Sequence, residues 1–327
     1  MKYQYITITK NIYFRHLLLV FVVGLFNLIF ATSLSAKTSA SEVDTIISPP
    51  AYNETAESLA NKFALMALFA KTSYRKDIKD DNLMKERPCD SITKLPLTMN
   101  WKRLDKQDAC YNGGGLYYET YVHTSGVKYD KAVIAIRGTE FTSEKDWKAN
   151  LSGVFHFNNS EYDLAKKHIV PLINALKKDG VDEIYLSGHS LGGGIAQEIA
   201  YLTSPNDLTA TYTFNTSPVT EWMKLHRKGN IINDSPKVYR VYMSNEILGY
   251  IRKLTSLFNH KLPDRHDIKV YSKFPWHVNP VNAHVMSHLT CYLAEQVTEA
   301  GAQFDYSKKD ADLVLNDNDL CPKNIID

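Results

Sequence analysis

The run Gly188-His189-Ser190-Leu191-Gly192-Gly193-Gly194 limits the folding options of this chain more than any other segment. A strand-like stretch at 181–187 precedes it and a helix-like stretch at 195–202 follows. Gly188 and Gly192 have no Cβ, so neighbouring backbone can pass close to them. The order predicts a strand that turns sharply into a helix. Ser190 sits on that turn, its hydroxyl raised above a sheet. The helix N-terminus beneath it favours developing negative charge.

The remainder of the chain alternates in the same way. Residues 55–71 carry Leu59, Phe63, Met66 and Ala70 at spacings of three and four, the period of a helix. The segment 87–115 is rich in Pro, Gly, Asp and Asn and reads as irregular structure or short strands. The short apolar run at 132–136 reads as a buried strand, and 184–186, 211–215 and 237–243 read as further strands, with one more at 268–271. Residues 161–178, 191–203 and 281–298 read as helices. Strands alternating with crossover helices predict an α/β fold, a mostly parallel central sheet with helices on both faces. No internal repeat or boundary divides residues 55–300, which read as one domain. Residues 301–327 form an acidic, polar tail in which Cys321 is a candidate anchor.

The N-terminal 36 residues have a different character. Lys2, Lys10 and Arg15 precede the apolar run 17–31, and the small residues Thr32, Ser33, Ser35 and Ala36 follow it. That order predicts a secretory signal peptide, with 37–54 as a linker ending near Pro49-Pro50. As a helix the apolar run would reach roughly 22 Å, short of a hydrocarbon core of roughly 30 Å. A retained membrane anchor is the alternative. Export makes the expected location secreted or periplasmic. The chain has 38 basic and 36 acidic residues, and three of the basic ones lie in the leader. The remainder is within one charge of neutrality, so nothing favours a nucleic-acid partner. The four cysteines form no Cys-x-x-Cys, which argues against a zinc or redox motif. An even number in an exported chain suggests disulfides, with Cys89–Cys110 and Cys291–Cys321 the local pairing.

Gly188 to Gly192 matches the Gly-x-Ser-x-Gly pattern. A serine hydroxyl is a weak nucleophile at neutral pH and needs a base and an orienting acid. The base lies after the acid in chain order for a strand–elbow–helix site, which leaves His277, His284 and His288 as candidates. His288, four residues beyond His284, would share its helical face. Three segments resemble the class 3 lipase family of α/β-hydrolases. Ile136-Arg137-Gly138-Thr139 resembles the family's oxyanion segment, followed by Asp146-Trp147…Asn150-Leu151. The elbow is the second. Arg240-Val241-Tyr242-Met243-Ser244-Asn245-Glu246 resembles the strand ending in the catalytic acid. Here Glu246 stands where the family usually has Asp, and Ile247-Leu248-Gly249 replaces its Pro-rich stretch; Asp234 and Asp264 are the fallbacks. Asn282-Ala283-His284-Val285-Met286 resembles the family's Ala-His-x-Met.

The resemblance implies an α/β-hydrolase fold and a triad of Ser190, His284 and Glu246. Thr139 and the Leu191 N–H would form the oxyanion hole, and no metal or organic cofactor is required. Arg137 is either a substrate-carboxylate clamp or a structural guanidinium, and the apolar residues within 140–157 are either a lid or ordinary packing. The expected activity is hydrolysis of lipid esters, as a triacylglycerol lipase or phospholipase, with a lipid at a membrane or emulsion surface as partner. The alternatives are a soluble-ester hydrolase or thioesterase, and an inactive fold that binds lipid or protein.

Overall fold

Side chains of a strand point alternately to opposite faces, and the run at 132–136 divides accordingly. Ala132, Ile134 and Ile136 join one apolar cluster, while Val133 and Ala135 join another. A strand covered on both faces belongs to the middle of an α/β layer. The computed structural model describes residues 56–74, 89, 100–138, 159–217, 231–243, 246, 248, 265–270, 282–299, 304 and 306–322.

Eight strands form one sheet among these residues. They are β1 (Trp101–Arg103), β2 (Cys110–Gly113), β3 (Leu116–Ser125), β4 (Lys128–Ile136), β5 (Glu183–His189), β6 (Ala210–Phe214), β7 (Val238–Met243) and β8 (Arg265–Val270). β3 and β4 make an antiparallel hairpin, and both β1 and β2 pair along the outer edge of β3. From β4 to β8 every pairing is parallel and in chain order. Helices α1 (Ala56–Thr72), α4 (Met286–Glu295) and α5 (Lys308–Asn316) pack into the cluster containing Val133. Helices α2 (Asn159–Lys178) and α3 (Leu191–Leu202) pack into the cluster containing Ile134. The expected mostly parallel sheet with helices on both faces is the observed architecture.

Three local differences have physical causes. β3 is not legible in the sequence because it lacks apolar alternation. Its buried residues include Glu119 and Thr120, held inside a tyrosine-rich run. Tyr121 and Tyr117 donate their hydroxyls to Glu119, at 2.5 and 3.2 Å, so the carboxylate is buried with partners. The helix expected at 281–298 is broken. Asn282–His284 is a 3-10 turn, Val285 is extended (φ −63°, ψ 128°), and α4 begins only at Met286. His284 and His288 therefore do not share a helical face. Within the polar segment after residue 301, α5 forms with a reciprocal cap: the Asp310 N–H donates to Ser307 Oγ, and the Ser307 N–H donates to the Asp310 carboxylate.

The leader 1–36, the linker 37–54, Thr139, the stretch containing Asp146 and Trp147, Asp264 and His277 lie outside the described residues. No described helix is long and apolar enough to cross a membrane. Both disulfides take the local pairing: Cys89–Cys110, and Cys291–Cys321, which ties α4 to the chain beyond α5. The second closes a separation of 30 residues. In the chain-entropy account such a bridge contributes about 3–4 kcal/mol. Replacing both Cys291 and Cys321 by Ala should lower the unfolding free energy by that order in urea titrations, with a somewhat steeper slope because the unfolded chain is freer to expand.

Candidate active site

The carboxyl ends of the central strands come level at one edge of the sheet. Ile136 pairs with Gly188, His189 with Phe214, and Phe214 with Val241. Ligand sites of open α/β sheets form at such an edge. Ser190 is the first residue past β5 and the cap of α3, with φ 55° and ψ −124°. A backbone of that kind costs a non-glycine residue about 1–3 kcal/mol and persists only where the surroundings hold it. Here four hydrogen bonds do so. The Ser190 N–H donates to the Phe214 carbonyl at 3.1 Å. The Ser190 carbonyl accepts from the N–H groups of Gly193, Gly194 and Ser217 at 3.0–3.2 Å.

The glycines around the turn are needed for space. A Cβ on Gly188 would collide with the Gly192 carbonyl, and one on Gly192 with the backbone of Ile136 and Arg137. The elbow is thus pressed directly against the end of β4. Gly138, just past that end, is equally confined: a Cβ there would lie 3.0 Å from the Leu191 nitrogen.

His284 Nε2 lies 3.0 Å from Ser190 Oγ, and His284 Nδ1 lies 2.8 Å from Glu246 Oε2. A carboxylate only accepts, so Nδ1 carries the proton and Nε2 is left to accept from the serine hydroxyl. Glu246 is fully buried, and the same oxygen also accepts from the Leu248 N–H at 2.9 Å. Ser190 and His284 are buried as well. The low surrounding polarity strengthens each of these bonds and makes a missing partner expensive.

Of the sequence-derived candidates, the fold brings together Ser190, His284, Glu246 and the backbone of Leu191. Asp234 is exposed. His288 is buried within α4, and its N–H donates to the Val285 carbonyl. Arg137 stacks its guanidinium 4.6 Å from the Tyr117 ring centre, and its N–H donates to the Tyr117 carbonyl. No group of three or more metal-ligating side chains occurs among the described residues.

Sequence reasoning misses Asn215. It sits just beyond β6 with φ 42°, a conformation asparagine tolerates better than most residues. Its side chain donates to the carbonyls of Ala283 and His284 and accepts from the Met243 N–H. One amide therefore joins the β6 end, the β7 end and the histidine turn. An Asn directly after an apolar strand, in Thr213-Phe214-Asn215-Thr216, is the one local signal that points to it. Gln197 of α3 plays a related part, donating to Thr216 Oγ1 at 2.9 Å.

A family model described as a Tle-like phospholipase domain matches residues 65–252, more than half of the chain. The chain belongs to this phospholipase-like family. The match runs from α1 through the elbow to Glu246 and stops before His284. Membership supports lipid-ester hydrolysis as the activity and a lipid as the substrate. No curated protein matches the chain.

Gly192→Ala separates two effects of opposite sign. Helix propensity alone predicts a gain of about 1 kcal/mol within α3. The collision with the β4 backbone predicts a loss of about 1–3 kcal/mol. Urea unfolding should show the loss; a gain would mean that the elbow is not tightly packed on β4.

Proposed function

We propose that this protein is a serine hydrolase with an α/β-hydrolase fold that cleaves carboxylic esters of phospholipids through an acyl-enzyme on Ser190. The observation that carries this reading is the unbroken chain in which Ser190 Oγ meets His284 Nε2 at 3.0 Å and His284 Nδ1 meets Glu246 Oε2 at 2.8 Å, on a strained strand-to-helix turn. The phospholipase-like family membership supports the substrate class. The Ser-Asp/Glu-His chain order and the 136–139 and 240–246 segments favour a relationship to class 3 lipases. Val285, directly after the base, is 42% exposed and offers an apolar contact beside the buried triad.

In the first step Ser190 Oγ bonds to the ester carbonyl carbon while its proton passes to His284 Nε2. The Leu191 N–H, at the N-terminus of α3, and Thr139 stabilise the oxyanion. The imidazolium, held by Glu246, then gives its proton to the departing alkoxide as the C–O bond breaks. Water attacks the acyl-enzyme with His284 again as base, releasing the fatty acid and restoring Ser190. Each oxyanion donor is worth about 3 kcal/mol in reactions of this type. The two disulfides fit an oxidising compartment, so we infer export through the 1–36 leader.

Two variants test the chemistry. Ser190→Ala should lower phospholipid turnover by roughly 10⁴-fold or more and abolish labelling by a fluorophosphonate, with an unaltered unfolding curve. Glu246→Gln should lower kcat by roughly 10³–10⁴-fold. Wild-type turnover by Ser190→Ala would overturn the serine mechanism. A preference for dissolved short-chain esters over long-chain phospholipid vesicles would instead favour a soluble esterase.

A further inference from the structure

His189 is a second buried imidazole whose ring centre lies 4.8 Å from that of His284. The proposed chemistry does not use it. Its surroundings nevertheless fix both ring nitrogens. Nε2 is 2.8 Å from the main-chain carbonyl of His284, a pure acceptor, so Nε2 carries a proton. Nδ1 is 2.8 Å from the Tyr74 hydroxyl. The same phenol oxygen accepts the Gly138 N–H at 2.8 Å. With that lone pair engaged, the phenol proton has two acceptors, Nδ1 at 2.8 Å and the His189 carbonyl at 3.5 Å, and the much shorter contact to Nδ1 takes it. The alternative is an imidazolium donating from both nitrogens. Burial opposes it, holding the His189 pKa well below the usual histidine value, and the nearby His284 adds to the effect.

We propose that His189 is a positioning residue: a neutral imidazole, protonated on Nε2, that holds the backbone of His284 in place and is itself fixed by Tyr74. The relay runs from the Gly138 N–H to the Tyr74 oxygen, from the Tyr74 O–H to Nδ1, and from Nε2–H to the His284 carbonyl. Asn215 Nδ2 shares that carbonyl at 3.2 Å. The base's backbone is therefore pinned by side chains from the ends of β5 and β6. Tyr74, two residues past α1, ties the same point to Gly138, the residue before Thr139. His284 ends a short 3-10 turn and precedes the extended Val285, so α4 does not fix it. Within the nucleophile's motif, His189 thus sets where His284 Nε2 sits relative to Ser190 Oγ. A displacement of about 1 Å in such a geometry costs on the order of 100-fold in rate.

This inference rests on the reading of His284 as the base, and its test has a part that does not. Nitrogen-15 NMR of the imidazoles in the full-length Ser190→Ala chain reads the tautomer without any turnover. We expect His189 to be neutral with Nε2 protonated at neutral pH; a proton on Nδ1 overturns the proposal. In the active enzyme, His189→Leu should lower kcat by roughly 10–100-fold with little change in KM. His189→Gln places an amide donor near the position of Nε2 and should recover most of that loss. Equal losses in Leu and Gln variants would reduce His189 to packing and overturn the positioning role. Tyr74→Phe removes the hydroxyl alone and should lower kcat by a smaller factor while freeing Nδ1. If His189→Leu does not fold, the NMR tautomer and Tyr74→Phe decide the matter: wild-type kcat and an unchanged Nδ1 signal in that variant also overturn the relay. Full activity in Ser190→Ala would reject the serine mechanism, whereas the tautomer would still report on the hydrogen bonds.

Discussion

Between the Ser190 turn and the end of β4 there is no room for side chains. Gly192 lies against the carbonyl of Ile136, Gly188 against the carbonyl of Gly192, and Gly138 against the Leu191 nitrogen. This close approach determines most of what surrounds it. It forces glycine into the first turn of a helix, where each glycine costs about 1 kcal/mol relative to alanine. It also gives Ser190 a left-handed φ that no serine would choose freely. The sheet supplies the compensation. Parallel pairing puts Phe214 beside His189, so the Phe214 carbonyl meets the Ser190 N–H, and the chain after β6 brings Ser217 back to the Ser190 carbonyl.

Polar burial at this edge follows one pattern. Glu246, His284, His189, Asn215 and Gln197 are all buried, and each has partners fixed by its chemistry. An unpaired buried polar group costs about 1–3 kcal/mol and a charge considerably more. A network of this density is stable only if every member is satisfied. The two acceptor sites of the His284 carbonyl illustrate the economy: one takes His189 Nε2–H and the other Asn215 Nδ2–H. The residues that hold the His284 backbone are thus not the ones bonded to its ring.

Much of this could be read from the sequence, for reasons specific to each segment. The runs at 132–136 and 184–186 sit between helices on both faces, so they are continuously apolar and announce themselves as central strands. β3 lies nearer the edge and fills its faces with tyrosines, Glu119 and Thr120, which imitate a polar loop in one dimension. The meeting of Ser190, His284 and Glu246 is legible because the elbow, the 240–246 strand end and the Ala283-His284-Val285-Met286 run resemble a known pattern in the same chain order. Asn215 and Tyr74 are not. Their importance comes from partners 28 to 115 residues distant, and no local spacing encodes such pairings. The break at Val285 was hidden too, since Met286–Glu295 continues an apolar pattern that begins before it.

The separations within the site also decide which element is responsible for it. Ser190 and His284 are 94 residues apart, and His284 and Glu246 are 38 apart. Closing loops of that size in an unstructured chain is costly, although each doubling of length adds only about 0.6 kcal/mol. Individual hydrogen bonds contribute about 1 kcal/mol net. The two hydrogen bonds among these three side chains cannot assemble the three segments. The parallel registers of β5, β6 and β7 do so first, burying both sheet faces and delivering residues 190, 215 and 246 to one edge. The histidine arrives from outside the sheet, on a turn ahead of α4, and is the one of the three without a strand beneath it. Additional side-chain clamps are therefore expected at His284 more than at Ser190 or Glu246, and that is where His189 and Asn215 converge.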